Sequence, residues 1–324
     1  MRSSDTEPMA LRFCNVVKRF GDALALDDCS FEVRAGEIVG YIGPNGAGKT
    51  TSMRILATLL RPDAGAVSVL GEAVERADVR TLRPRIGYMA DAPYLNDEMT
   101  VAEFLDYGAA MYRLNQGRRR TVVRDTLDLT DLAPMADWLI GRLSRGDRQR
   151  LALACTLVHD PEVLLLDEPA SGLDPIARVE LRELLKVLRR MGKTIFIASH
   201  VLSELDEVCD SVLVLSRGRV VASGAIGSLL DTLDQHARLE LVFSDEAQAL
   251  RAEEWLSGRA AVLGWEAVRK GRSLEYSGGI EEQEIEAALA GLIREGVRVI
   301  YCHRRRPSLE RFYLKTMLES GGTG

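Results

Sequence analysis

Gly43-Pro44-Asn45-Gly46-Ala47-Gly48-Lys49-Thr50 follows the apolar run Ile38-Val39-Gly40-Tyr41-Ile42 and precedes a stretch of helical character from about Gly48 to Leu60. The octapeptide matches G-x-x-x-x-G-K-[ST]. Its glycines let backbone N–H groups curl around phosphate oxygens, its lysine neutralises the β- and γ-phosphates, and the hydroxyl of its last residue is placed to ligate Mg2+. A helix opening at Gly48 aims the positive end of its dipole at the same anion. A chance match in a chain of this size is on the order of one in a hundred, and the flanking strand and helix are what the mechanism requires. The reading is ATP or GTP binding with Mg2+, through Gly43, Asn45, Gly46, Gly48, Lys49, Thr50 and the adjoining Thr51.

Working outward, three more compact apolar runs follow at Val163–Leu166, Thr194–Ala198 and Val212–Leu215. Helical patterns separate them, such as Ile176–Arg190 with Leu181, Leu184, Leu185 and Leu188 on one face. Strands alternating with helices predict an α/β domain, a mainly parallel sheet with helices on both faces. Asp167 and Glu168 close the second of these runs. A carboxylate at such a strand end can hold the Mg2+ of a phosphate-loop site. Successive strand residues face opposite ways, so the two acids need not share a role. Asp167 suits the metal, and Glu168 suits a general base acting on a water aimed at the γ-phosphate. By themselves the two residues read equally well as a solvated turn before Pro169.

Thr100–Leu139 has no strand run and reads as a helical insertion, with Val101, Phe104, Leu105 and Gly108 at helical spacing. After Gly224 the texture changes. A helix from Ala225 to about Leu233 leads into a strand at Leu239–Phe243, a helix at Ala247–Leu256 and strands at Val262–Val268 and Ser273–Tyr276. A helix at Glu281–Glu295 and a strand at Val297–Tyr301 follow. The order β-α-β-β-α-β is that of a ferredoxin-like α+β unit. The chain therefore divides into residues 1–224 and a smaller C-terminal domain, 225–324, in keeping with 324 residues as two domains.

Composition bounds the function. Hydrophobic content of 46% and charged content of 28% are those of an ordinary globular protein. The net charge of −6 is shared evenly, with 29 basic and 32 acidic residues up to Gly224 and 13 and 16 beyond it. Phosphate-backbone binding needs a basic domain or tail, so a nucleic-acid partner is not expected. No stretch approaches the 18–20 apolar residues of a membrane span, and the first residues lack the apolar core of a secretory signal. Five scattered cysteines form no C-x-x-C pair, which argues against a disulfide framework or a zinc site and for a cytosolic chain with reduced thiols.

Further residues make the pattern specific. Leu143-Ser144-Arg145-Gly146-Asp147-Arg148-Gln149-Arg150-Leu151 stands ahead of the strand ending in Asp167-Glu168, and Ser171-Gly172-Leu173-Asp174-Pro175 and Ala198-Ser199-His200 come after it. With the phosphate loop, this order and spacing over about residues 10–224 resembles the nucleotide-binding subunit of ABC transporters. The resemblance implies a P-loop NTPase core of ABC type with a helical insertion, ATP as the nucleotide, and a sandwich of two subunits. It implies that Ser144 and the Gly146 N–H contact the γ-phosphate of ATP bound to the other subunit, that His200 reaches the γ-phosphate, and that Asp174 lies in the loop between the two sites. Phe20 stands where the family places an aromatic that stacks on adenine. Asp91 stands where the family has a glutamine that contacts Mg2+ and links the site to the membrane subunit. Arg145 and Asp147 also depart from the family's usual Leu-Ser-Gly-Gly-Gln.

Arg306-Pro307-Ser308-Leu309-Glu310-Arg311-Phe312-Tyr313 is similar to the ending of ATPases that serve separate export permeases, such as daunorubicin-type drug exporters. It also reads as an amphipathic helix capped by Ser308. The expected partners are a membrane permease and a second ATP-binding subunit, identical or related, with the chain peripheral on the inner face of the cell membrane. The alternative is a nucleotide-gated regulator or a soluble ATPase of the same type with weak hydrolysis, not coupled to transport, a reading kept open by Asp91, Arg145 and Asp147.

Overall fold

The computed structural model describes residues 8–234, 237–263, 266–278, 282–305 and 308–321. The first residues read for a signal (1–7), Glu281, Arg306, Pro307 and the last three of the glycine-rich tail lie outside the described residues. Residues 226–315 form one compact unit, and residues 8–225 with 316–321 form another.

In the first unit the elements run β1 (Met9–Phe20), β2 (Ala23–Arg34), β3 (Ile38–Ile42), α1 (Lys49–Leu56), β4 (Ala64–Val69), β5 (Glu72–Ala73), α2 (Val79–Leu82) and β6 (Ile86–Met89). They continue with α3 (Val101–Met111), α4 (Gln116–Leu129), α5 (Arg145–Leu157), β7 (Val163–Asp167), α6 (Pro175–Arg190), β8 (Thr194–Ala198), α7 (Leu202–Val208), β9 (Ser211–Ser216) and β10 (Arg219–Ala225). Six strands form a sheet in the order β10-β9-β3-β8-β7-β6. All its pairs are parallel except the β9–β10 edge pair. The strands β3, β7 and β8 are buried at every position, as parallel strands covered on both faces must be.

A second sheet is antiparallel, in the order β2-β1-β4-β5. The mainly parallel sheet with helices on both faces expected from the sequence did not include it. Register breaks in β1 between Phe13 and Val16 and between Val16 and Lys18 disturb the period-two alternation that announces a strand. The signal survived in β2, where Cys29, Phe31 and Val33 alternate and are buried. Aromatic rings join the two sheets: Phe13 stacks on Phe31 at 4.5 Å, Phe31 lies 5.7 Å from Phe196, and Tyr41 lies 4.9 Å from Phe196. The helix α1 stops at Leu56, short of Leu60, because Thr58 takes a left-handed φ of 60°.

The segment containing α3 and α4 is pinched at its base. Thr100 bridges Leu139, Val101 N–H donates to Trp138 C=O at 3.0 Å, and Ile140 N–H donates to Met99 C=O at 2.9 Å. Its own core of Val101, Leu105, Ala109, Val123 and Leu127 packs with Leu151, Ala154 and Val158 around α5. Thr100 and Glu103 close a reciprocal capping box that starts α3.

In the second unit α8 (Ile226–Asp234) precedes β11 (Ala237–Phe243), α9 (Glu246–Leu263), β12 (Glu266–Lys270), β13 (Ser273–Gly278), α10 (Glu282–Arg294) and β14 (Val299–Arg305); α11 (Leu309–Gly321) follows, its residues up to Lys315 belonging to this unit. The antiparallel sheet runs β12-β13-β11-β14, so the third strand lies between the first and second, the split β-α-β of a ferredoxin-like arrangement. Leu239, Leu241, Phe243, Leu256, Leu274 and Leu292 fill its core. The strand expected over Val262–Val268 is corrected: α9 runs on through Leu263, and β12 begins only at Glu266. Arg259-Ala260-Ala261 are strong helix formers, and one β-branched valine after them does not overrule the run. Ser308 starts α11, its hydroxyl accepting from Arg311 N–H at 3.4 Å, and Leu309 and Phe312 are buried.

Candidate active site

The phosphate loop joins the C-terminal end of β3 to α1, and its glycines are sterically required. Gly46 and Gly48 have φ of 79° and 111°. A Cβ on Gly48 would meet Ala25 O at 2.5 Å, and one on Gly43 would meet Leu215 O at 2.4 Å. The loop is therefore seated on β2 and β9 with no room for a side chain at Gly43 or Gly48, while at Gly46 the backbone angle alone favours glycine. Below it, Ser52 Oγ donates to Gly48 O at 3.1 Å and lies 3.0 Å from the Tyr41 hydroxyl, deep in the core. This prop was not read from the sequence, where Ser52 is one polar residue in a helix.

Lys49 is 8% exposed, and its ammonium donates to Gly43 O at 2.6 Å and Pro44 O at 3.3 Å across the mouth of the loop. Burial pushes its pKa down, and the Glu168 and Asp167 carboxylates draw it back up. Thr50 Oγ1 donates to Asp167 Oδ2 at 2.7 Å. Burial raises the Asp167 pKa, the Thr50 hydrogen bond opposes this, and the charge of Asp91 adds to the rise. Asp91 itself is exposed.

The strand β7 ends in a kink at Glu168, whose φ is 51°. A left-handed non-glycine residue stores strain, and here the kink is over-determined. Glu168 N–H donates to Ala198 O at 2.9 Å, Ser171 N–H donates to Glu168 O at 3.0 Å, and the Gln149 amide donates to Pro169 O at 2.8 Å. The kink sends the two carboxylates to different partners. Asp167 faces Thr50, while Glu168 Oε2 accepts from His200 Nδ1 at 2.8 Å. His200 lies just past β8, so strand ends of β3, β7 and β8 gather the acidic and basic groups in one place, as α/β sites do.

The Leu143–Asp147 segment is the start of α5. Ser144 is its N-cap: its oxygen accepts from Asp147 N–H at 3.2 Å, and its hydroxyl donates to Asp147 Oδ2 at 2.5 Å. The side chain of Arg145 lies on Gly172, with its Cζ 2.0 Å from where a Cβ on that glycine would sit. Arg148 donates to Asp97 Oδ1 at 2.6 Å and Ile140 O at 3.1 Å. Two neighbouring residues of α5, Arg148 and Gln149, thus tie it to the Asp91–Met99 segment and to the loop after Glu168. Neither link was legible in the sequence. Asp174 caps α6, its Oδ1 accepting from Ile176 N–H at 2.9 Å and Ala177 N–H at 3.0 Å. Phe20 stands apart at the end of β1, 51% exposed, with Lys18 Nζ 5.6 Å from its ring centre.

The donor set fits a nucleotide with Mg2+. Thr50 and Asp167 present hard oxygens, and among the described residues no three His, Cys, Asp or Glu side chains converge to hold a metal alone. Mg2+ characteristically takes one or two protein oxygens and completes its shell with substrate phosphates and water.

Comparison with known proteins agrees. The ABC transporter family model matches residues 26–171. The chain is 37% identical over 303 residues, 94% of its length and 95% of the relative's, to the Nod factor export ATP-binding protein I of Burkholderia orbicola. A solved dimeric ATP-binding cassette in a post-hydrolysis state with ADP and Pi superposes with a TM-score of 0.62 at 25% identity, covering 67% of this chain and 98% of that one. A Clostridium perfringens cassette described as part of the cbiONQ transporter complex gives a TM-score of 0.63 at 28% identity, covering 70% and 95%.

Proposed function

The chain belongs to the ABC transporter family as an ATP-binding, ATP-hydrolysing subunit, and from that premise we propose that Glu168 and His200 are its catalytic residues. Lys49 and the loop amides from Gly43 to Thr51, Asn45 among them, hold the β- and γ-phosphates, and the Phe20 ring stacks on the base. Thr50 and Asp167, with Asp91 alongside, hold Mg2+, which when bound neutralises charge on the phosphates. Glu168 accepts the proton of the attacking water, and His200 orients Glu168 and faces the γ-phosphate. The observation that carries this reading is the 2.8 Å contact between His200 Nδ1 and Glu168 beside the 2.7 Å contact between Thr50 and Asp167.

The chain carries one phosphate loop and one Ser144 segment, so two subunits, identical or related, complete each other: Ser144 and Gly146 N–H meet the nucleotide of the opposite subunit, and the Asp174 cap fixes the loop between the sites. The motion passes through α3, α4 and the Asp91–Met99 segment to a separate membrane permease that exports its cargo, the class of task named for the Burkholderia relative. Among the described residues no helix is long and apolar enough to cross a membrane, which supports a place on the inner membrane face through that permease. Steady-state ATP turnover of the chain against Glu168→Gln tests the assignment. A loss of about 10²–10⁴-fold is expected for removing a general base, with ATP binding kept; equal rates would show that Glu168 is not the base.

A further inference from the structure

Ser144 has one hydroxyl proton, and in this structure that proton is committed. It lies on the line to Asp147 Oδ2 at 2.5 Å, while the Ser144 oxygen accepts from Asp147 N–H at 3.2 Å. A hydroxyl offers a single donor, so a phosphate oxygen that takes a hydrogen bond from Ser144 must displace the carboxylate. Hydrogen bonds to a carboxylate are about twice as strong as neutral ones. Asp147 also sits in the first turn of α5, where its charge is favoured by the helix N-terminus. That same helix end would otherwise attract a phosphate. Among the described residues no cation is paired with Asp147: the adjacent Arg148 is engaged by Asp97, and Arg145 is laid on Gly172. The Asp147 carboxylate is therefore met by the very hydroxyl that a phosphate would use, while its own amide holds the oxygen of that hydroxyl.

We propose that Asp147 is a positioning residue that holds the Ser144 hydroxyl away from the opposing nucleotide and so raises the ATP concentration needed to join the two subunits. The inference rests on the assignment of Ser144 to that nucleotide. Asp147→Asn keeps the shape of the side chain and an oxygen that can accept from the Ser144 hydroxyl, and removes the charge. Its effect should fall on the demand for ATP and not on the chemical step, because Asp147 acts through Ser144 and touches no reacting atom.

The experiment uses the full-length chain in four forms: unchanged, Ser144→Ala, Asp147→Asn and the double variant. Half-saturating Mg-ATP and kcat are measured for each, with ATP-driven dimerisation followed in the Glu168→Gln background and thermal melting as the check on folding. Asp147→Asn is expected to lower half-saturating ATP and the ATP needed for dimerisation by about five- to tenfold, the gap between a charge-assisted and a neutral hydrogen bond. The kcat should stay within about twofold, and the gain should vanish when Ser144→Ala is already present. No gain from Asp147→Asn, with Ser144→Ala itself weakening ATP dependence, overturns the proposal alone. A gain that persists without the Ser144 hydroxyl also overturns it, since the carboxylate would then act on the nucleotide directly. A silent Ser144→Ala removes the underlying assignment and the proposal together.

Discussion

Two helices of the first unit are proposed to meet a phosphate at their start, and they begin differently. The helix α1 starts at Gly48, with no side chain capping its amides and no acid in its first turn. The helix α5 starts at Ser144, whose side chain caps the turn and whose third helical residue is Asp147. Every helix N-terminus presents unsatisfied amides and a positive dipole end. In α1 those groups are left for a ligand, with Lys49 added; in α5 the Asp147 amide and the Ser144 hydroxyl are already engaged within the chain. The first arrangement binds an anion without rearrangement, and the second asks the anion to compete.

The comparison breaks most visibly if the second arrangement is copied into the first. Thr51 is the third helical residue of α1, as Asp147 is of α5. Thr51→Asp should raise the Kd for ATP by about a hundredfold or more, since juxtaposed like charges cost several kcal/mol. The fold should hold, because an acid in a first turn favours the helix. Calorimetric titration with Mg-ATP beside a melting curve measures both. Unchanged affinity in a folded variant would show that the first-turn acid is not what separates the two helix starts.

Backbone geometry separates them next. Gly48 has a φ of 111° and its Cβ would lie 2.5 Å from Ala25 O, whereas a Cβ on Gly146 would meet nothing closer than 3.8 Å. Gly48→Ala should destabilise the chain by at least ~2 kcal/mol, from left-handed strain plus a backbone clash. Gly146→Ala should leave stability unchanged or raise it by up to ~1 kcal/mol, the gain in helix propensity. Urea unfolding of the pair decides it. Equal midpoints would remove the claim that one glycine is required by the fold while the other is kept free for a ligand.

How much of this was legible follows the same division. The phosphate loop is a run of contiguous residues whose chemistry and strain are local, so its glycines, Lys49 and Thr50 could be read in order. Asp167 and Glu168 could be singled out because a strand end can be located from an apolar run, and His200 was singled out by the family resemblance; the structure sets Asp167 beside Thr50 and Glu168 beside His200. Contacts between distant segments left no such trace. Gln149 on Pro169, Arg148 on Asp97 and Ser52 beneath Gly48 depend on how α5, β7 and α1 meet. Asp147 could be singled out as a departure, yet its turn toward Ser144 is a choice of side-chain geometry. In the fold, the antiparallel sheet was lost to the register breaks of β1, and the end of α9 to a single valine.

The smallest expected effect concerns Asp91: unlike Asp147, which lies in the first turn of α5, it is an exposed acid outside any helix, and it acts on Asp167 through its charge. Its charge adds to the burial that raises the Asp167 pKa. An acid whose pKa is raised by folding binds more protons in the native state than in the unfolded chain, so stability falls as pH rises from the ordinary aspartate range through the raised native value. Asp91→Gln removes part of that penalty. The variant should therefore be more stable than the unchanged chain at neutral pH by no more than ~0.5 kcal/mol, solvent screening limiting the term. The gain should fade at acid pH, where Asp167 is protonated with or without Asp91. Glutamine is the residue the family carries at this position and keeps an oxygen for Mg2+, and Thr50 and Asp167 keep their 2.7 Å contact, so ATP turnover should stay within about twofold. A folded but inactive Asp91→Gln would show instead that this carboxylate has a role of its own, and that the first helix start, like the second, is governed by an acid.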